Sequence, residues 1–150
     1  MPDFIERRQL ARILNRNMGS FQNVSAPQKG WIWTMRTALG MSAEQVASRK
    51  GVSRNAVYQA ERSEQEGAVS LKQMENLAKA MGGRFVYAIV PDEPVEALKH
   101  KQAVQVARSL SEDETDFHTL GIDEKQDWID DKSAELLHNM PSTFWDLKTG

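Results

Sequence analysis

The chain has 150 residues, no cysteine and a formal net charge of −2 at pH 7. This length suits one domain of ordinary size with appended segments, and the lack of cysteine excludes disulfide bonds and zinc–thiolate sites. No apolar run approaches the roughly 18 residues of a membrane span, and the N-terminus MPDFIERRQL lacks the apolar core of a signal peptide, so we expect a cytoplasmic protein.

The charge is distributed unevenly along the chain. Residues 1–62 contain ten Lys and Arg against four Asp and Glu, whereas residues 63–150 contain nine against seventeen. A basic first half is typical of a surface that contacts phosphates. The acidic remainder predicts either a solvated, solubilising surface or contact with a basic protein partner.

The first predicted element is an amphipathic helix in residues 3–18, where apolar residues recur at helical spacing among four arginines. This helix has three open roles: it packs on the domain, swaps onto a partner chain or lies near DNA phosphates. Residues 19–29 predict a linker. A second helix then begins near Trp31, which we expect in the core, and its Arg36 is a candidate for a phosphate contact.

Residues 41–62, MSAEQVASRKGVSRNAVYQAER, predict two short helices around a tight turn. Ser42 and Gln45 form an S-x-x-Q capping box that begins the first helix. Gly51 ends it, because glycine adopts the left-handed conformation at low cost. Ser53 caps the second helix.

The exposed face of that second helix carries side chains suited to base edges. Arg54, Asn55 and Gln59 would enter a major groove, where Arg can bind guanine, and Asn or Gln adenine, with two hydrogen bonds. The alternative for residues 41–62 is a helical hairpin with a solvated polar face.

Three sequence words, ALGMSAEQVA, GVSRNAVYQAE and SLKQMENLAKAMG, stand in this order in the chain. They resemble the lambda-repressor-like helix-turn-helix family of the xenobiotic-response-element type, over about residues 31–77. The resemblance implies a mostly α fold with a five-helix DNA-binding domain that reads bases from the start of the second motif helix. It also implies a repressor. Polar residues in and beside the motif would then hold the DNA backbone: Ser42, Ser53, Tyr58, Arg62, Ser70 and Lys72.

Residues 84–90, RFVYAIV, predict one β-strand between Gly83 and Pro91. Its N–H and C=O groups need partners, and no second strand is predicted. Antiparallel pairing with the same strand of a second copy would give a homodimer that reads an inverted-repeat operator. The dimer contacts would come from Phe85, Val86, Tyr87, Ala88 and Ile89. The alternative is pairing with an irregular segment of the same chain.

The remaining sequence predicts an acidic, helical C-terminal region. One helix begins near Pro94 and another spans residues 123–139, with an acidic loop at 111–122 between them. Phe144 and Trp145 are costly to leave in water, so we expect them to dock on this dimer or on a second protein. The predicted domains are residues 1–29, 30–91 and 92–150.

No motif predicts a catalytic or cofactor site. The chain has neither a G-x-G-x-x-G nor a Walker pattern. His100, His118 and His138 lie far apart, without metal-ligand spacing. We therefore expect no enzyme, no cofactor and no metal.

The words GWIWTMRTALGMS, EGAVSLKQMENLAKAMGGRFVYAIVP and STFWD are similar to the "mobile mystery protein A" family of bacteria, over nearly the whole chain. This resemblance implies a partner protein with a Fic domain and an antitoxin-like role in a toxin–antitoxin module. The favoured hypothesis is a homodimeric, sequence-specific repressor of double-stranded DNA. The alternative is a protein-interaction module that neutralises a partner toxin, with DNA binding secondary.

Overall fold

The computed structural model describes residues 2–148, which form seven α-helices and one short 3-10 helix and contain no β-strand. The α-helices are α1 (Phe4–Ser20), α2 (Trp31–Ala38), α3 (Ala43–Lys50), α4 (Arg54–Gln65), α5 (Leu71–Ala80), α6 (Val95–Ser111) and α7 (Ile122–His138), and the 3-10 helix is Asp116–Thr119. The predicted mostly helical fold class is confirmed. Within residues 2–148, no helix combines the length and the apolar character needed to cross a membrane.

The chain divides into two compact units. The central unit, Asn23–Ala88, contains α2 to α5. The terminal unit joins residues 2–22 to residues 89–148 and contains α1, α6 and α7. Within the terminal unit α1 packs on α6, whereas the sequence analysis treated residues 1–29 as a region of their own.

Small and medium apolar side chains from all four helices form the core of the central unit. Val46 and Val57 are fully buried, and the small Ala47 and Ala60 let α3 and α4 approach closely. The rest of this core is Ile32, Ala43, Met74, Leu77 and Met81. Both α3 and α4 therefore turn one apolar face into this core.

Trp31 lies outside this core, contrary to the prediction. It is 44% exposed, whereas the neighbouring Ile32 is 2% exposed. α2 begins at Trp31, and its inward face runs from Ile32 to Arg36 one turn later. Because Arg36 is charged, the sequence pattern placed the apolar stripe one residue too early.

The predicted strand at residues 84–90 is absent from the single chain, since residues 83–91 belong to no helix or strand. A strand needs a hydrogen-bonded neighbour, and residues 2–148 provide none. Phe85 packs against the edge of the central core and stacks on Tyr87 with 5.7 Å between ring centroids. The expectation of five helices is also wrong, because the central unit has four and the next helix, α6, belongs to the terminal unit.

The core of the terminal unit lies between α6 and α7. Ala103 and Ala107 are fully buried and allow close packing, and Ile129, Leu136 and Phe144 complete the cluster. Phe144, expected to dock on another protein or across a dimer, thus fills the core of its own chain. Nε2 of the buried Gln102 donates to the carbonyl oxygens of Phe144 and Leu147, each at 2.8 Å.

Asn15 of α1 caps the first turn of α6. Pro94 precedes α6 and provides no side-chain cap, so Oδ1 of Asn15 accepts the Val95 N–H at 2.9 Å. Nδ2 of Asn15 donates to Oε2 of Glu96 at 2.9 Å. This hydrogen bond to the charged form holds the pKa of Glu96 below its ordinary value.

Candidate functional site

The turn between α3 and α4 has the predicted geometry. Ser42 and Gln45 form a complete capping box at the start of α3. Gly51 has φ +78°, and the N–H groups of Gly51 and Val52 both donate to the carbonyl oxygen of Ala47, at 2.8 and 3.0 Å. This closed turn fixes where α4 begins.

α4 turns its polar residues to solvent. Val57 and Ala60 anchor one side in the core, and Arg54, Asn55 and Gln59 are exposed on the other side. The structure thus brings the three predicted base-reading residues onto one face of one helix. Their role in reading bases stays a prediction.

Gln59 belongs to a short hydrogen-bonded chain on that face. Its Oε1 accepts from a terminal guanidinium nitrogen of Arg62 at 2.9 Å, and its Nε2 donates to Oγ of Ser63 at 3.4 Å. Arg62 therefore orients the amide of Gln59, so that its Nε2 is weakly held and its oxygen is occupied.

Three of the predicted backbone-contacting residues are helix N-caps. Ser42, Ser53 and Ser70 precede α3, α4 and α5, and each Oγ accepts a backbone N–H three residues further on, at 3.0–3.1 Å. A hydroxyl that accepts one hydrogen bond still has its own proton to donate. Each serine therefore offers a phosphate oxygen both an O–H and the positive end of a helix dipole.

The other three predicted backbone contacts also lie at the surface. Tyr58 is 43% exposed, and the guanidinium of Arg36 lies 6.0 Å from its ring centroid. Arg62 is exposed. Nζ of Lys72 lies 4.0 Å from Oε2 of Glu75 with both side chains in water, so this ion pair holds the lysine only weakly.

Arg36, a predicted phosphate contact, serves the fold instead. Its Nε lies 2.6 Å from Oε1 of Glu61, and the two side chains are only 13% and 9% exposed. One terminal nitrogen also donates to the carbonyl oxygen of Met41 at 3.2 Å. This buried pair ties α2 to α4 and leaves the guanidinium unavailable to DNA.

Glu64 makes a second contact between α4 and α2, which the sequence did not predict. Its two carboxylate oxygens accept the N–H groups of Trp31 and Ile32, at 2.5 and 2.9 Å. Gly30 precedes α2 and has no side chain to cap it, so the last turn of α4 supplies the cap. The only sign of this contact in the sequence is that α2 begins after a glycine, which has no side chain to cap the helix. That sign does not indicate which distant residue supplies the cap.

The central unit is the basic part of the chain. It contains nine Lys and Arg against five Asp and Glu, a net charge of +4, whereas the terminal unit contains ten against sixteen, a net charge of −6. The buried pair of Arg36 and Glu61 cancels, whereas the carboxylate of Glu64 is committed to the N–H groups of α2, so the charge available at the surface of the central unit is more basic than the count by about one.

A comparison with known families finds a match in this same part of the chain. Residues 34–87 match the helix-turn-helix family model, a range that includes α3, α4 and α5. The match indicates a DNA-binding transcription regulator. No curated protein and no solved structure matches the chain.

Proposed function

From the match of residues 34–87 to the helix-turn-helix family, we propose that this chain is a sequence-specific repressor of transcription that acts in the cytoplasm and has no catalytic activity. The observation that carries the proposal is the face of α4, where Arg54, Asn55 and Gln59 are exposed opposite the buried Val57.

The dimensions of α4 suit a major groove. Its 12 residues span about 18 Å, and the groove of B-form DNA is about 12 Å wide, enough to admit an α-helix. Arg54 and Asn55 stand in the first turn, next to the Ser53 cap and the free N–H groups of the helix start. In this arrangement the cap binds a phosphate while the two side chains reach the base edges, and Gln59 reads one turn further along.

Alanine substitutions of Arg54 and Asn55 test this reading. An operator is first selected from random duplexes with the wild-type chain. Arg54→Ala and Asn55→Ala are each expected to weaken binding to that operator by roughly 1–3 kcal/mol and to relax specificity at one base pair, because each removes a two-bond base contact. Gel-shift titrations at fixed salt measure both effects.

The control is Arg108→Ala, which removes the same charge from an exposed position on α6 and should bind as the wild type does. Lys72→Ala should weaken all sequences alike and lower the slope of log affinity against log salt by about 1, as expected for one lost phosphate contact. Equal binding of the operator by wild type, Arg54→Ala and Asn55→Ala would end the proposal.

We further propose that the regulator is a homodimer that pairs through residues 84–90. Val86, Tyr87 and Ile89 are 60%, 64% and 80% exposed, although their composition suits a buried strand. This apolar segment belongs to no helix or strand, and although the Ile89 carbonyl accepts Nδ2 of Asn17 at 3.0 Å, the backbone groups of residues 84–88 are a template for a second copy. Antiparallel pairing across a twofold axis would place two α4 helices for half-sites about one helical turn apart.

Proline substitutions test the pairing. In an antiparallel ladder, the N–H groups of adjacent residues point to opposite sides, so either Val86→Pro or Tyr87→Pro must remove a hydrogen bond to the partner. We expect at least one of them to halve the mass measured by light scattering. Val24→Pro alters an equally exposed valine (59%) in the linker and should leave the mass unchanged. A wild-type chain that is monomeric at micromolar concentration would overturn the dimer and leave the role of α4 intact.

A second function is favoured by the terminal unit, which has its own core and a net negative surface that a DNA-binding unit does not need. We propose that it binds a partner toxin, of the Fic-domain class implied by the resemblance to the mobile mystery protein A family.

The test is coexpression with a Fic-domain protein encoded beside this chain. The full chain should protect cells and copurify with that protein, whereas a chain truncated after Pro91 should still bind the operator and fail to protect. Failure of the full chain to do either would remove this function.

A further inference from the structure

Within the terminal unit, an open groove runs along α6 beside the indole of Trp145. We call it the Trp145 groove. Leu98 and Val104 form its half-buried apolar wall, and His100, Lys101 and Arg108 stand around it. The groove therefore combines an aromatic side, an aliphatic wall and a basic rim.

Trp145 is held in the open by its neighbours in the chain. Phe144 is 1% exposed in the core, whereas Trp145 is 56% exposed and meets the Phe144 ring edge to face, with 5.0 Å between centroids. The Gln102 amide binds the carbonyl oxygens of Phe144 and Leu147, on either side of Trp145. The backbone is thus fixed on both sides, so the indole cannot fold into the core that its neighbour occupies.

The charge of the rim differs from that of its surroundings. Beyond Ser111 the chain contains eleven Asp and Glu and only three Lys and Arg. Arg108 forms no ion pair with any residue from 2 to 148, and Lys101 pairs only with the half-exposed Glu93. Lys101 and Arg108 lie on the same face of α6, about two turns apart. Arg108 is available to a carboxylate beside the apolar wall, and Lys101 becomes available when such a carboxylate replaces Glu93.

We propose that the Trp145 groove binds an acidic segment of a partner protein that carries one large apolar side chain. The apolar side chain packs between the indole of Trp145 and Leu98, and flanking carboxylates bind the guanidinium of Arg108 and the ammonium of Lys101. A nucleic acid is disfavoured, because the groove has an aliphatic wall and only two cationic side chains at its rim, Lys101 and Arg108, in place of a continuous basic surface. The inference gives the proposed partner binding a location, and it does not rest on DNA binding by the central unit.

The experiment uses the full chain and a phage-displayed library of random peptides. Enriched peptides should share acidic residues around one aromatic or long aliphatic residue. The most enriched peptide is then synthesised and titrated into the ¹⁵N-labelled protein, whose four tryptophans give four indole N–H signals. The signal of Trp145, assigned with Trp145→Phe, should shift, while those of Trp31 and Trp33 in the central unit should not.

Two variants and a control locate the binding. Trp145→Ala and Arg108→Glu alter exposed side chains, and each should weaken the peptide by about tenfold or more, as removal of a central aromatic or charged contact does. Lys99→Glu makes the corresponding charge change on α6 outside the groove and should bind the peptide as the wild type does. All three should bind the operator normally.

Several results would overturn the proposal: no enriched peptide, enrichment without acidic residues, a shift at Trp31 in place of Trp145, or full affinity in both variants. If Trp145→Ala halved the mass that light scattering measures for the wild type, the groove would instead be assigned to a second copy of this chain. Loss of DNA binding by the wild type would count against the repressor and leave the peptide result unaffected.

Discussion

Gly30 has no side chain, and this lets Glu64 of α4 cap the start of α2. Gly30 has φ +86°, and a Cβ there would lie 2.8 Å from the carboxylate carbon of Glu64. That carboxylate binds the first two N–H groups of α2. Any side chain at Gly30 must therefore displace the cap of α2 as well as strain the backbone.

Gly30→Ala is predicted to lower the free energy of unfolding by about 1 kcal/mol more than Gly40→Ala, the typical worth of a helix cap. Gly40 has φ +71° with no atom within 4 Å of a Cβ, so its substitution carries the cost of a positive φ without the loss of a cap. In a Glu64→Ala background the extra cost of Gly30→Ala over Gly40→Ala should fall by about the worth of that cap. Urea unfolding measures these differences, and equal losses in the wild-type background would contradict the account.

At the level of elements, Asn15 replaces a missing cap and connects α1 to α6. Its side chain accepts the Val95 N–H and donates to Glu96, whereas Pro94 can do neither. The side-chain amide of Asn15, which belongs to α1, thus caps the start of α6.

Asn15→Ala is predicted to lower the free energy of unfolding by about 1 kcal/mol at neutral pH, through loss of this cap. Because the pKa of Glu96 is lowered in the folded chain, its bond to Asn15 stabilises the fold above the ordinary Glu pKa of 4.5 and is lost as pH falls through the lowered value. The difference between wild type and Asn15→Ala should therefore narrow below about pH 4.5. Denaturant unfolding across that range measures it.

Gln9→Ala, on the exposed side of α1, is the control and should change stability little at any pH. A difference between wild type and Asn15→Ala that stays constant with pH would show that Glu96 takes no part.

The helices were predictable because their signals are local. The Ser42–Gln45 capping box, the Gly51 stop and the Ser53 cap lie within three or four residues of the backbone groups that they satisfy. Residues 84–90 gave a strand signal, but a strand forms only with a partner, which the single chain does not contain. The contacts of Glu61 and Glu64 with α2 span about 25 and 32 residues, a separation at which no sequence spacing identifies the pair.

At the level of the whole molecule, the two units carry opposite net charge, +4 in the central unit and −6 in the terminal unit. The sequence revealed the uneven charge. It did not reveal that residues 2–22 join residues 89–148, because that contact links distant parts of the chain.

A fragment of residues 23–91 is predicted to fold alone, since the whole core of the central unit lies within it. At low salt it should associate with DNA of any sequence faster than the full chain, because the acidic unit that repels phosphates is gone. The advantage should shrink as the Debye length falls from about 30 Å at 0.01 M salt to about 8 Å at 0.15 M. Stopped-flow association rates at several salt concentrations measure this, and identical rates at low salt would refute it.

The connectivity of the units also orders events on the ribosome. The central unit is one continuous stretch of chain, whereas the terminal unit must wait for Phe144 to complete its core. At ordinary elongation rates, the chain between residues 88 and 144 takes roughly 3–11 s to synthesise. During that interval the nascent polypeptide carries a finished helix-turn-helix and an α1 that can pack only after α6, which ends at Ser111, has been made.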